Sequence, residues 1–100
     1  MHYQKAQLND VNVLHDDTEN AVERAAALSR LVSDQRREFE EPIAQFLEQS
    51  EPLLRAKAIV ALVGRWRIEK YVSKAIELLG EDVDWLVRRN AAHALAMYAQ

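Results

Sequence analysis

The residues of widest chemical range in this chain are three histidines, His2, His15 and His93, and two acidic clusters, Asp16-Asp17 with Glu19 and Glu38 with Glu40-Glu41. A zinc ion held on one helix face needs ligands at a spacing such as i and i+4, and the three histidines share none. No metal site is therefore expected. A histidine acting as a general base needs a placed partner. His93, between Ala92 and Ala94, reads instead as a solvent- or groove-facing helix residue. Paired carboxylates that exchange a proton need one acid desolvated in a cleft. Both acidic clusters lie beside expected helix starts, where carboxylates accept free amide protons and oppose the positive end of the helix dipole. Two isolated glycines, Gly64 and Gly80, cannot build a phosphate-cradling loop. The lack of cysteine removes thiolate metal sites, disulfides and a thiol nucleophile. The expectation is a non-enzyme without cofactor.

One cluster joins aromatic and basic groups: Arg65-Trp66-Arg67 with Lys70 and Tyr71. Such a group can stack a base and hold phosphate. Alternatively, Trp66 closes a turn while the arginines stay solvated, and this is the favoured reading. Trp85, beside Asp84, either packs or stands out as an anchor. Aromatic and arginine side chains near one edge are typical of binding hot spots.

These residues must be positioned by helices. Apolar residues recur at spacings of three and four along the chain, and strand-like alternation never persists. The pattern predicts helices over about 3–15 (stripe Leu8, Val11, Leu14), 19–33, 36–49, 51–63, 68–79 and 84–98. Asp16, Asp17 and Thr18 read as a break and cap, and Ser50-Glu51-Pro52 as a helix restart. Gly64 and Gly80 are expected to end helices, Gly64 in the left-handed conformation. Six helices with short connections make a stack of helical hairpins.

The 100 residues suit one small domain; 49% are apolar and 29% charged, as in a folded chain, and only two glycines and two prolines argue against a sandwich or barrel. No apolar run spans a membrane and no signal-peptide stretch opens the chain, so a cytoplasmic location is expected. The net charge of −3 divides unevenly, with −5 in residues 1–50 and +2 in residues 51–100. A generic nucleic-acid binder is basic over its whole contact face, and here only the second half offers that, weakly.

The chain repeats itself. At a shift of 33 residues, Leu54-Arg55 falls on Val87-Arg88, Ala58 on Ala91, Ala61 on Ala94, Ile43 on Ile76 and Phe46 on Leu79. A degraded third copy places Ala25 on Ala58 and Leu28 on Ala61. No such hairpin buries its apolar face alone, so neighbours must stack.

Asp82-Val83-Asp84-Trp85-Leu86-Val87-Arg88-Arg89-Asn90-Ala91-Ala92-His93-Ala94-Leu95 resembles the second half of a HEAT repeat of the short bacterial type, and residues 49–62 are similar. The resemblance covers about residues 36–100 well and 1–35 loosely, with Val22 standing where the family arginine is expected. It implies an all-α, right-handed α-α superhelix, armadillo-like, of about three hairpins in one domain, residues 1–100, with units near 1–33, 36–66 and 68–100. It also implies structural roles: Asp82 or Asp84 capping a helix, Arg88 pairing with acids in the turns, and Glu51 and Arg55 doing the same in the middle unit.

The function expected is protein binding, as a scaffold, adaptor or inhibitor, along a ridge of second helices. Arg24, Lys57, Arg89, Asn90 and His93, with Trp66 and Trp85, are the candidate contact residues. Nucleic-acid binding is the alternative, needing Arg55, Lys57, Arg65, Arg67, Arg88 and Arg89 on one face. A lyase-type accessory role is a further one. Leu95, Met97 and Tyr98 carry an apolar face to the last helix end, which predicts a longer repeat array, a homodimer or a docked partner there.

Overall fold

Helix starts set the register of this chain. The computed structural model describes residues 9–100, so His2, Leu8 and the start of the expected first helix lie outside the described residues. α1 covers residues 9–14. α2 is Ala21–Ser33, capped by Asn20, whose side chain accepts the Glu23 amide at 2.8 Å. The cap is therefore Asn20 and not Thr18. Asp16 instead accepts both the amide and the hydroxyl of Thr18, closing a local turn.

The next hairpin opens with a 3-10 turn, Arg37–Phe39, continues as α3, Glu40–Ala44, and tightens into a second 3-10 turn, Gln45–Glu48. Pro42 sits in the first turn of α3, where a missing amide proton costs nothing. α4, Pro52–Ile59, starts with proline and widens into a π-helical turn, Val60–Arg65. The third hairpin has a 3-10 turn, Glu69–Tyr71, then α5, Val72–Glu81, and α6, Trp85–Ala99, capped by Asp84 through the Leu86 amide at 2.9 Å. No strand occurs among the described residues.

A single offset of 33 does not hold. The N-caps Asn20, Glu51 and Asp84 are 31 and 33 residues apart. The left-handed residues Gln35 and Arg67, at φ 59° and 56°, are 32 apart, as are the 3-10 turns that follow them. Two single-residue additions explain this. The π turn adds one to the middle second helix, and α5 is one residue longer than Glu40–Glu48. First helices therefore align at 32, pairing buried Ile43 with Ala75 and Phe46 with Leu78. Ile76 and Leu79, the partners expected from the sequence, are 57% and 40% exposed.

The cap register also identifies the arginine of the first unit. Arg24, Arg55 and Arg88 each lie four residues after a cap, with amides bonded to the cap carbonyls at 3.1, 3.2 and 3.1 Å. Arg24, not Val22, occupies the motif position.

The core runs between the helix layers. Leu28, Leu31, Ile43, Phe46, Leu54, Ile59, Leu62 and Val87 are almost fully buried, and each such side chain contributes roughly 2 kcal/mol through its removal from water. Alanines 27, 58, 91 and 94 are fully buried where α2, α4 and α6 lie side by side. Gly64 is also buried: a Cβ there would stand 3.0 Å from Met97 Sδ. Its role is the close approach of α6, and no glycine has positive φ.

Candidate functional site

The second helices α2, α4 and α6 form one wall, with α4 between the other two. Between α4 and α6 this wall opens into a cleft of about 370 Å³ lined by Leu53, Ala56, Lys57, Leu86, Arg89, Asn90 and His93. The repeat builds it. Leu53 and Leu86 each lie two residues after a helix cap, and both are half-buried at the cleft floor. Lys57, Arg89 and His93 are exposed, while Asn90 donates to the Leu86 carbonyl at 2.8 Å, which fixes its side chain along α6. A smaller cleft of about 110 Å³ continues between α2 and α4, lined by Leu28, Val32, Ser33, Lys57, Val60 and Arg65. Lys57 stands on α4 between the two clefts and lines both, and together they make up the groove of this wall.

The structure thus brings together Lys57, Arg89, Asn90 and His93, four of the residues singled out by sequence. It places others elsewhere. Arg24 is 8% exposed, with Nε donating to the Leu14 carbonyl at 3.0 Å and its guanidinium 5.3 Å from the Phe46 ring centre. Its chemistry serves the fold, because a buried cation must have its protons accepted. Trp66 is 2% exposed under the Arg37 guanidinium, and its Nε1 has no acceptor among the described residues. Neither residue can present itself to a partner. Trp85 is 62% exposed at the start of α6 and does not line the groove. Leu53, Ala56 and Leu86 were not among the contact residues expected from sequence; for Leu53 and Leu86, the shared position two residues after a cap is the signal that marks them.

The cap and motif residues form a separate cluster. Arg55 grips Asp82 through two bonds of 2.9 Å and donates to the Gln49 carbonyl at 2.7 Å. The Asp82 carboxylate also accepts the Asp84 amide, and Arg88 donates to the Asp82 carbonyl at 2.8 Å. The Arg55 hydrogen bonds hold the Asp82 carboxyl below the usual range and push the Arg55 guanidinium up. Arg88 meets a backbone carbonyl, not an acid, and Glu51 caps α4 without a side-chain bond.

The aromatic–basic cluster is dispersed. Arg67 donates to the Met97 carbonyl at 2.8 Å and lies over Tyr98, while Lys70 pairs with Glu40 and Glu41. Tyr71 donates to Glu40 at 3.0 Å, and burial, then this bond, pushes its phenol up. His15 lies against Phe46, with ring centres 5.9 Å apart. Among the described residues no group of three metal-ligating side chains comes together, and no helix is long and apolar enough to cross a membrane.

A family model described as HEAT repeats matches residues 40–100, which contain α3 to α6 and the main cleft. No curated protein and no solved structure matches the chain. HEAT repeats generally mediate protein–protein interaction. The helical hairpins, the arginine four residues after each cap and this match agree: the chain belongs to the HEAT-repeat family.

Proposed function

We propose that the chain is a non-catalytic protein-binding module that takes a segment of its partner into the α2–α4–α6 groove. The observation that carries this reading is the cleft of about 370 Å³ whose floor is Leu53 and Leu86, the same position in two successive repeats. An apolar floor ringed by a few polar groups is the general form of a recognition site. Affinity capture from native lysate tests it, using the intact chain, His93→Trp to fill the cleft, and Ser73→Trp on the first-helix side as control. The expected result is a protein partner retained by the intact chain and the control and lost with His93→Trp. Retention by all three proteins overturns the reading, as does recovery of nucleic acid alone.

Self-association is a second reading, supported by a different surface. Leu95 and Tyr98 pack against the core, and Met97 lies on Gly64, so the last turns of α6 are largely covered. The exposed large apolar residues of the third hairpin are Ile76, Leu79, Val83 and Trp85. A contact between copies would use that side.

A further inference from the structure

Twelve of the chain's 13 lysines and arginines lie in the described residues. Nine of them make an ion pair, a hydrogen bond or a ring contact within the fold. Lys57, Arg65 and Arg89 make none with a described residue, and all three line the groove. No aspartate or glutamate lines either cleft. The first-helix side differs: the cleft there is lined by Glu48, Glu77, Glu81 and Asp82 together with Lys74 and Arg55, which pair with acids among them. Among the described residues, the cations that have no partner within the fold all lie along one wall, in a chain whose net charge is −3.

Like charges gathered on one wall repel over about 10 Å at 0.1 M salt, and an incoming anion relieves that repulsion. The groove is not only charged. Leu53 and Leu86 floor the larger cleft, and Leu28, Val32 and Val60 the smaller. A nucleic-acid backbone has no branched aliphatic side chains for such a floor, and an overall anionic protein repels a polyanion at a distance. A peptide carrying both carboxylates and aliphatic side chains fits both features. Resting on the groove reading above, we propose that the occupant is an acidic peptide segment of a partner protein. Its aliphatic side chains seat on Leu53 and Leu86, and its carboxylates pair with Lys57, Arg65 and Arg89.

Selection of a random-sequence peptide library on the full chain tests this. Anisotropy titrations of an enriched peptide then follow, on the intact protein, on Lys57→Glu/Arg89→Glu and on His93→Trp, with a 12-nucleotide oligothymidine as competitor. The milder Lys57→Gln/Arg89→Gln pair replaces the reversal if circular dichroism shows lost helix. The expected result is enrichment of Asp and Glu interleaved with Leu, Ile or Val. Affinity is expected to fall at least about tenfold in the reversal variant and in ~0.5 M salt. Peptides without acidic excess, lost with His93→Trp but unaffected by charge reversal, overturn the acidic occupant and leave the groove reading standing. Peptides indifferent to both changes overturn both. Oligothymidine that displaces every peptide puts nucleic acid in its place, and a library that enriches nothing overturns the proposal.

Discussion

Arg55 and Asp82, 27 residues apart, join the second and third hairpins through two parallel bonds, Nε to Oδ2 and Nη2 to Oδ1, both 2.9 Å. Their side chains are 12% and 6% exposed. Such a pair is weak as a net stabiliser but costly to break, because removing one partner strands a buried charge. Asp82→Asn or Arg55→Met is therefore expected to cost about 3 kcal/mol in urea unfolding. The double variant should cost clearly less than the sum of the two. Strict additivity would show that the two groups do not depend on each other.

The same pair predicts a pH dependence. Asp82 loses its proton more readily when folded, chiefly through the Arg55 hydrogen bonds, so its pKa lies below that of an ordinary aspartate. The unfolded chain then binds more protons, and stability rises with pH through the acid range. The contribution is complete above roughly pH 5 and is lost as pH falls through the folded value. Urea midpoints measured between about pH 6 and about pH 3 should fall less steeply for Asp82→Asn than for the unaltered chain. Equal slopes would exclude Asp82 as a source of the acid sensitivity.

Trp66 offers a different kind of test. Its ring is buried and its Nε1 proton has no acceptor among the described residues. Trp66→Ala is expected to cost about 4 kcal/mol through lost packing. Trp66→Phe keeps much of the ring and removes the unpaired donor, whose burial itself costs about 1–3 kcal/mol. Its net loss in thermal or urea unfolding should be less than half that of the alanine variant.

Gln35 holds φ 59° on the exposed turn after α2. A non-glycine residue there costs roughly 1 kcal/mol, partly offset by the greater freedom of glycine in the unfolded chain. Gln35→Gly is expected to raise stability by about 0.5 kcal/mol, and Gln35→Val to lower it by more than 1 kcal/mol, roughly. Thermal unfolding of the three proteins gives the order.

The exposed apolar side of the third hairpin predicts concentration-dependent association. Sedimentation velocity should show a species larger than monomer that disappears in Ile76→Asp/Leu79→Asp. A monomer at every concentration removes this reading without touching the groove.

Much of the architecture was legible because helical spacing, caps and the Arg-bearing motif are local signals. Asp84 and Arg88 were readable within the seven residues Asp82–Arg88. The register was not. Ile43 and Ile76 match in type at a shift of 33, yet one is buried and the other exposed. A widened helical turn and one extra residue in α5 leave no mark in residue type. Arg24 was misread for the same reason: a fixed period placed Val22 at the motif position, and an exposed role followed for a residue that is folded inward. The groove residues Lys57, Arg89, Asn90 and His93 lie off the apolar stripe of their helices, which is why sequence alone could gather them. Trp66 and Trp85 look alike in sequence and differ only in tertiary cover.

The wide turn at Val60–Arg65 takes up one residue of length in the middle second helix. A residue added or removed inside a regular α-helix rotates everything beyond it by about 100°. Placed before Lys57, such a change would swing that cation off the wall while Arg89 stayed in place, and the row would lose its alignment. Placed in the π turn, it is absorbed as a change of pitch just ahead of the left-handed Arg67. The middle unit thus carries one more residue than the first without scrambling what the wall displays, although Ala61, Leu62, Val63 and Gly64 of that turn are buried.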